Sequence, residues 1–335
     1  MIRTILTIPT LARYSAFSVC VLLSGVSAAA ETTTMSAVEL RQQALKHFAP
    51  LPHFKERYER QQADSHVHNN ATLVHMGKVL FKDSLLSLRG KNNCRQCHRV
   101  MDDRAVSYTF PAFDVSGNGQ PAPYNTPAIK NMALAKRFGW RGEHERLESF
   151  IAEHLLDENI TGIPSEEAVI RRLDSNPSYD VAFTEAYRDD DPDQKGKVYI
   201  TYDNTVRALA AYLRTAGSQD PFDDFLNGND KALSKTQQQG LSLFMEKGCV
   251  TCHSGALLGT ETVVNLGTAD ETQRFRAPSL RNVGLTSPYL HDGSVQRLDD
   301  AIRHRLEGGK ASTLTEAEVR LIKSFLYGLT EQGQL

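Results

Sequence analysis

Two short words constrain this chain more than anything else in it. They are "CRQCH", with Cys94, Cys97 and His98, and "CVTCH", with Cys249, Cys252 and His253. Each reads C-x-x-C-H, the attachment sequence of a c-type haem. The two thiols add to haem vinyl groups and the histidine ligates the iron from one face. A lone C-x-x-C would also fit a redox dithiol or half of a zinc site. The histidine after each pair and the duplication argue against both. The expected cofactors are therefore two covalently bound c-type haems.

Cysteine use agrees. Of five cysteines, one, Cys20, lies in an apolar leader, and the other four belong to the two words, so none is left for a disulfide. Large residues precede Cys20, which argues against a lipoprotein. Residues 1–30 carry Arg3 and Arg13, an apolar run from Ala16 to Val26, and small residues ending at Ala30. This pattern predicts a secretory signal cleaved before Glu31. The run is too short to span a bilayer comfortably as an anchor. Cleavage removes two positive charges and takes the formal net charge from −2 to −4. The expected location is the bacterial periplasm, where such haems are attached, and the mature chain is not expected to be membrane-embedded. The 38 basic and 40 acidic side chains form no basic stripe, which excludes nucleic acid as an expected partner.

The chain reads as mainly α. Residues 36–48, 71–81, 203–216, 234–248 and 313–329 carry apolar side chains at helical spacing. Ser234 is the expected N-cap of the fourth and Gly248 its stop. Residues 111–127 are rich in Pro, Gly and Asn and read as a loop, and 219–230 as the joint between halves. Residues 126–151 also lie over 277–302 without a gap, at a constant offset of 151. Matched pairs include Pro127/Pro278, Asn131/Asn282, Gly142/Gly293, Leu147/Leu298 and Ile151/Ile302. The haem words sit at a similar offset of 155. We therefore expect two related haem domains, 31–225 (with a helical N-terminal extension) and 226–335, following the leader 1–30.

The words "GKVLFKDSLLSLRGKNNCRQCH", "NTPAIKNMALAKRFGWRG", "GLSLFMEKGCVTCHSG" and "FRAPSLRNVGLTSPYLHDGSVQRLDDAI" resemble the bacterial di-haem cytochrome c peroxidases and their MauG-type relatives. The resemblance covers most of the mature chain. It implies two cytochrome-c-like helical domains whose haems face a shared interface. It implies one calcium ion between them, held by Asn125 and by the carbonyls of Thr286 and Pro288; hard oxygen ligands suit calcium. The plainer reading of Asn125 is a turn cap before Pro127. The resemblance also places Trp140, the only tryptophan, between the haems as an electron bridge, against ordinary aromatic packing.

The sequence departs from the family at both haems. The second haem usually takes Met, or Tyr in MauG-type proteins, 17 residues after the proline of "SPYLHDG"; here that position is Arg305. No methionine follows Met245. His304 is adjacent and would serve as an axial ligand after a one-residue shift, or would pair with Arg305 over the iron; otherwise both are solvated. At the first haem the family's Gln, Pro and Glu positions read Phe150, His154 and Ile160. Glu158 lies near the last and would take its role. His154 is the repeat counterpart of position 305. It would act as the distal base over the first haem, would ligate it, or would lie on an exposed helix face. No histidine occurs between His98 and His144, so the family's inhibitory loop histidine is not expected.

Three functions follow. The first is a peroxidase that reduces hydrogen peroxide at an open haem, with electrons from a small redox protein passed through the second haem. The second is a MauG-type oxidase that uses peroxide to oxidise aromatic residues of a substrate protein; the missing methionine leans this way. The third is an electron carrier with both irons six-coordinate. The catalytic expectation is His154, Glu158 and Trp140, with the first haem as the peroxide site. The reverse assignment, His98 and His154 on one iron and an open second haem, stays open. A homodimer is admitted by this reading and not required.

Overall fold

A computed structural model describes residues 35–52, 71–98, 124–187, 199–259, 261–265, 274–307 and 314–331. The leader and the loop segment 111–123 lie outside the described residues. The described part, within the compact unit Ser36–Leu335, is built of helices around two apolar cores.

The first core gathers α2 (Ala71–Lys82), α4 (Leu147–Leu155), α5 (Glu166–Asp174), α6 (Pro177–Tyr187) and α7 (Tyr202–Thr215), with the one-turn helix α3 (Cys94–Cys97) between α2 and α4. The second gathers α1 (Ala37–Ala44), α8 (Pro221–Leu226), α9 (Lys235–Glu246), α10 (Leu298–Glu307) and α11 (Glu316–Tyr327). One antiparallel hairpin, β1 (Val263–Asn265) and β2 (Arg274–Arg276), completes the described elements, with Val263 opposite Arg276. The chain is thus mainly α, as its periodicity predicts.

Local chemistry sets the helix ends. The Ser234 side chain accepts from the Gln237 N–H, and Gln237 answers the Ser234 N–H, a reciprocal cap. At the other end of α9, Gly248 adopts φ 76°, a left-handed conformation that stops the helix cheaply. The segment expected to be a plain joint carries α8. Asp220 caps it and Pro221 starts it, and Phe222 and Phe225 are fully buried in the second core.

Each core rests on one close helix crossing. A Cβ placed on Gly77 in α2 would lie 1.9 Å from the Ala208 carbonyl oxygen of α7. A Cβ on Gly240 in α9 would lie 2.0 Å from the Leu321 carbonyl oxygen of α11. Only glycine lets these backbones touch.

The repeat reappears as geometry. Asn131 and Asn282 both sit in the left-handed region, at φ 61°, ψ 19° and φ 60°, ψ 19°, each opening a one-turn 3-10 helix. The bridges Phe138–His144 and Tyr289–Val295 also stand 151 residues apart, and α4 and α10 begin at matched positions.

The N-terminal segment is a finding the order of elements did not suggest. Although α1 precedes the first core, it packs in the second. Phe48 meets Phe222 edge-on at 5.4 Å, and the Leu51 N–H donates to Asp223 Oδ1 at 2.8 Å. Among the described residues no helix is long and apolar enough to cross a membrane.

Candidate functional site

The two C-x-x-C-H words fold alike. Cys94 and Cys97 lie on the single turn of α3, and the His98 N–H donates to the Cys94 carbonyl at 2.8 Å. Cys249 opens a 3-10 turn, and the His253 N–H donates to the Cys249 carbonyl at 2.9 Å. All four cysteines are half-buried. Burial pushes the Cys94 thiol up to about 12 and the Cys249 thiol up to about 11.

Each histidine is oriented by a backbone carbonyl. His98 Nδ1 lies 3.1 Å from the Pro127 oxygen, and His253 Nδ1 lies 3.0 Å from the Leu258 oxygen. A carbonyl can only accept, so Nδ1 carries the proton and Nε2 keeps the lone pair for a metal. Burial, with repulsion from His154, lowers His98 to about 3, so it is neutral. The donor set therefore fits a covalently held haem at each word.

The loop behind His253 is anchored by buried charge. Arg281 Nη1 donates to both oxygens of Asp220, at 2.8 and 2.7 Å, and the guanidinium lies 3.0 Å from Asp223. Its Nε donates to the Ala256 carbonyl at 2.9 Å, two residues before the carbonyl that orients His253. Burial raises the Asp220 carboxyl to about 6 against the pull of Arg281. The sequence reading did not single out these three residues. The one available signal was that the repeat pairs Arg281 with another basic residue, Lys130, which is also buried and pairs with Glu331.

Trp140 stands where the two repeats meet. It lines a cavity with Asn125 and Phe150 from the first half of the chain and Leu257, Arg276 and Pro288 from the second. Its Nε1–H donates to the Asn125 carbonyl at 2.7 Å, and its own carbonyl accepts from the Arg276 N–H at 2.8 Å. Arg276 Nε donates to the Gly139 carbonyl at 2.9 Å. Burial lowers the Arg276 guanidinium to about 10. Asn125 is itself buried. Its Nδ2 donates to the Pro288 carbonyl at 2.7 Å and to that of Leu290 at 3.2 Å. Its Oδ1 is buried and has no hydrogen-bond partner among the described residues. Thr286 lines the same cavity. A buried orphan oxygen fits a hard cation.

The remaining expected residues separate. His154 on α4 has its ring centre 6.4 Å from that of His98, at 54° between planes. Phe150, one turn earlier, lies 5.4 Å from it. Burial lowers His154, while Asp157 and Glu153 pull it back up. Glu158 is exposed on the turn after α4, and Asp157 and Glu153 are the carboxylates that act on His154 instead. His304 is exposed on α10, without the ring contact that links His154 to His98.

Comparison with known proteins gives the context. Residues 71–231 match a family model described as di-haem cytochrome c peroxidase. Cytochrome c551 peroxidase of Pseudomonas aeruginosa is 30% identical over 278 residues, covering 76% of this chain and 78% of that one. Methylamine utilization protein MauG of Methylorubrum extorquens is 28% identical over 330 residues, covering 92% and 88%. A solved MauG-like protein associated with microbial copper homeostasis superposes with a TM-score of 0.66 at 24% identity, covering 78% of this chain and 90% of that one. The diheme peroxidase BthA of Burkholderia thailandensis gives 0.62 at 17% identity, covering 85% and 90%. The two superpositions speak to the fold alone.

Proposed function

Because the chain belongs to the di-haem cytochrome c peroxidase family and is a haem-dependent oxidoreductase, we propose that it reduces hydrogen peroxide with electrons passed from one haem site to the other. The observation that carries this reading is Trp140, held by hydrogen bonds on both sides in a cavity lined by both repeats. An indole fixed between two redox sites lowers the barrier to electron movement between them.

The haems would be held by thioethers to Cys94 and Cys97 and to Cys249 and Cys252, with His98 and His253 as iron ligands. When bound, they supply the one-electron chemistry that no side chain here supplies. The chain's own residues do the rest. The carbonyls of Pro127 and Leu258 keep a proton on each Nδ1, so that each Nε2 is the stronger donor to iron. Arg281 fixes the second carbonyl loop through Ala256. Asn125 positions Trp140 and, with the carbonyls of Thr286 and Pro288, would hold a calcium ion that ties the repeats together. Peroxide, two electrons and two protons give two waters, and a small redox protein supplies the electrons. The periplasm is the expected place of work, supported by the leader's composition.

The test is turnover of the purified two-haem protein with a reduced small cytochrome. Two donor equivalents oxidised per peroxide support the reading. Peroxide loss without donor oxidation would overturn it. Trp140→Phe keeps an aromatic ring but loses the indole N–H, and should slow donor oxidation by about tenfold, equivalent to about 1.4 kcal/mol.

One observation favours a second reading. Arg305 occupies the position where a methionine would raise the potential of the second haem. A MauG-type oxidation of aromatic residues on a substrate protein would then replace donor oxidation, and peroxide-dependent loss of partner Trp or Tyr absorbance would reveal it.

A further inference from the structure

We infer that His154 is the second axial ligand of the haem held by His98, so that this haem is a closed relay and peroxide reacts at the haem held by His253. The inference rests on the two-haem reading above and reverses the assignment expected from family position.

Distance separates a ligand from a base. Two metal–imidazole bonds of about 2 Å, with a half-ring of about 1 Å on each side, place two ligating ring centres about 6 Å apart. The His98 and His154 centres are 6.4 Å apart. A histidine acting as a base must leave room for bound peroxide and a hydrogen bond of about 2.8 Å, which places the centres about 8 Å or more apart. The observed gap matches the first figure and is too short for the second. It admits one metal ion and the plane around it.

The ring's position is set by its helix. Glu148 at the start of α4 pairs with Arg214 of α7 at 2.6 Å, and the Tyr202 hydroxyl donates to the Ala152 carbonyl in the turn that carries His154. Phe150 packs on the ring from within α4. A ligand supported in this way loses little freedom when it binds.

The second repeat lacks the counterpart. An offset of 151 carries His154 onto Arg305, whose guanidinium has no lone pair to give a metal. The neighbouring His304 is exposed. Among the described residues α10 thus offers no counterpart of His154, and on the proposed assignment peroxide reacts at the haem of His253 with electrons arriving through the His98–His154 site and Trp140.

The experiment is electron paramagnetic resonance of the ferric full chain, after mass spectrometry has counted its haems. The expected spectrum has one low-spin bis-imidazole signal and one high-spin signal. His154→Ala should convert the low-spin signal to high-spin, and added imidazole should restore it. The original high-spin signal should still be lost on adding peroxide. A low-spin signal unchanged in His154→Ala overturns the inference. Should that variant fail to fold, near-infrared magnetic circular dichroism of the unsubstituted protein decides, since an imidazole–imidazole pair supports the inference and any other pair overturns it. Fewer than two haems by mass would sink the two-haem reading itself, whereas two haems with a different ligand pair sink only the role of His154.

Discussion

Asn131 and Asn282, 151 residues apart in the chain, donate their side-chain amides to the same hydroxyl, that of Ser218, at 2.9 and 3.1 Å. All three are buried. The two repeats therefore meet at a single oxygen, one residue from each repeat with the same backbone angles. Ser218→Ala removes an acceptor shared by two buried donors. We expect a loss of about 2–3 kcal/mol, read as a lower denaturation midpoint of the two-haem protein. An unchanged midpoint would show that the hydroxyl is dispensable.

The paired crossings at Gly77 and Gly240 should fail separately. Alanine at either position drives a methyl group into a backbone carbonyl that cannot step aside. Each substitution should cost about 3 kcal/mol, the upper end for overpacking. Hydrogen exchange locates the damage: Gly77→Ala should loosen α2 and α7, and Gly240→Ala should loosen α9 and α11. Equal loosening of both cores by either change would contradict two separable cores.

Arg281→Ala leaves Asp220 and Asp223 buried without their cation. The expected cost is about 3–5 kcal/mol. Because Arg281 also holds the Ala256 carbonyl, the spectrum of the haem at His253 should shift while that of the haem at His98 does not. Equal shifts in both would remove the positioning role.

Acid should weaken the hold on α4. The Glu148 carboxyl is lowered despite its burial, because Arg214 hydrogen-bonds and pairs with it. A depressed carboxylate contributes stability that is present above its unfolded value, 4.5, and lost as pH falls through the folded value. The stability advantage over Glu148→Gln should be full at neutral pH and fade on acidification below 4.5. A constant difference across that range would refute the linkage.

Calcium removal tests the orphan oxygen. Chelation should lower the thermal midpoint of the unsubstituted protein and leave that of Asn125→Ala unmoved. If both fall equally, the ion sits elsewhere.

Much of this was legible in the sequence. The helices expected at 71–81, 203–216, 234–248 and 313–329 correspond to α2, α7, α9 and α11, because apolar periodicity is a local signal that burial then enforces. Ser234 and Gly248 cap as expected, since capping is decided within a turn. The repeat foretold the matched angles at Asn131 and Asn282. Other features had no local signal. Arg281 reads like any surface arginine until Asp220, 61 residues away, is folded against it. The proximity of His154 to His98 depends on how α4 docks, which spacing along one helix does not encode. The place of α1 was misleading for the same reason: its apolar face is visible in the sequence, and the core it serves is not.

That placement makes the first core, in topological terms, an insertion. The described residues open in the second core with α1, leave it to build the first, and return to it from α8 to α11. The Gly255 N–H, in the loop that serves His253, donates at 2.8 Å to the carbonyl of His47, just after α1. During synthesis the first core can close as soon as it emerges. The second must wait for its last helix while its first hangs unclaimed. A fragment containing only the later half would lack one wall, and α1 and α11 are bound to a common fate.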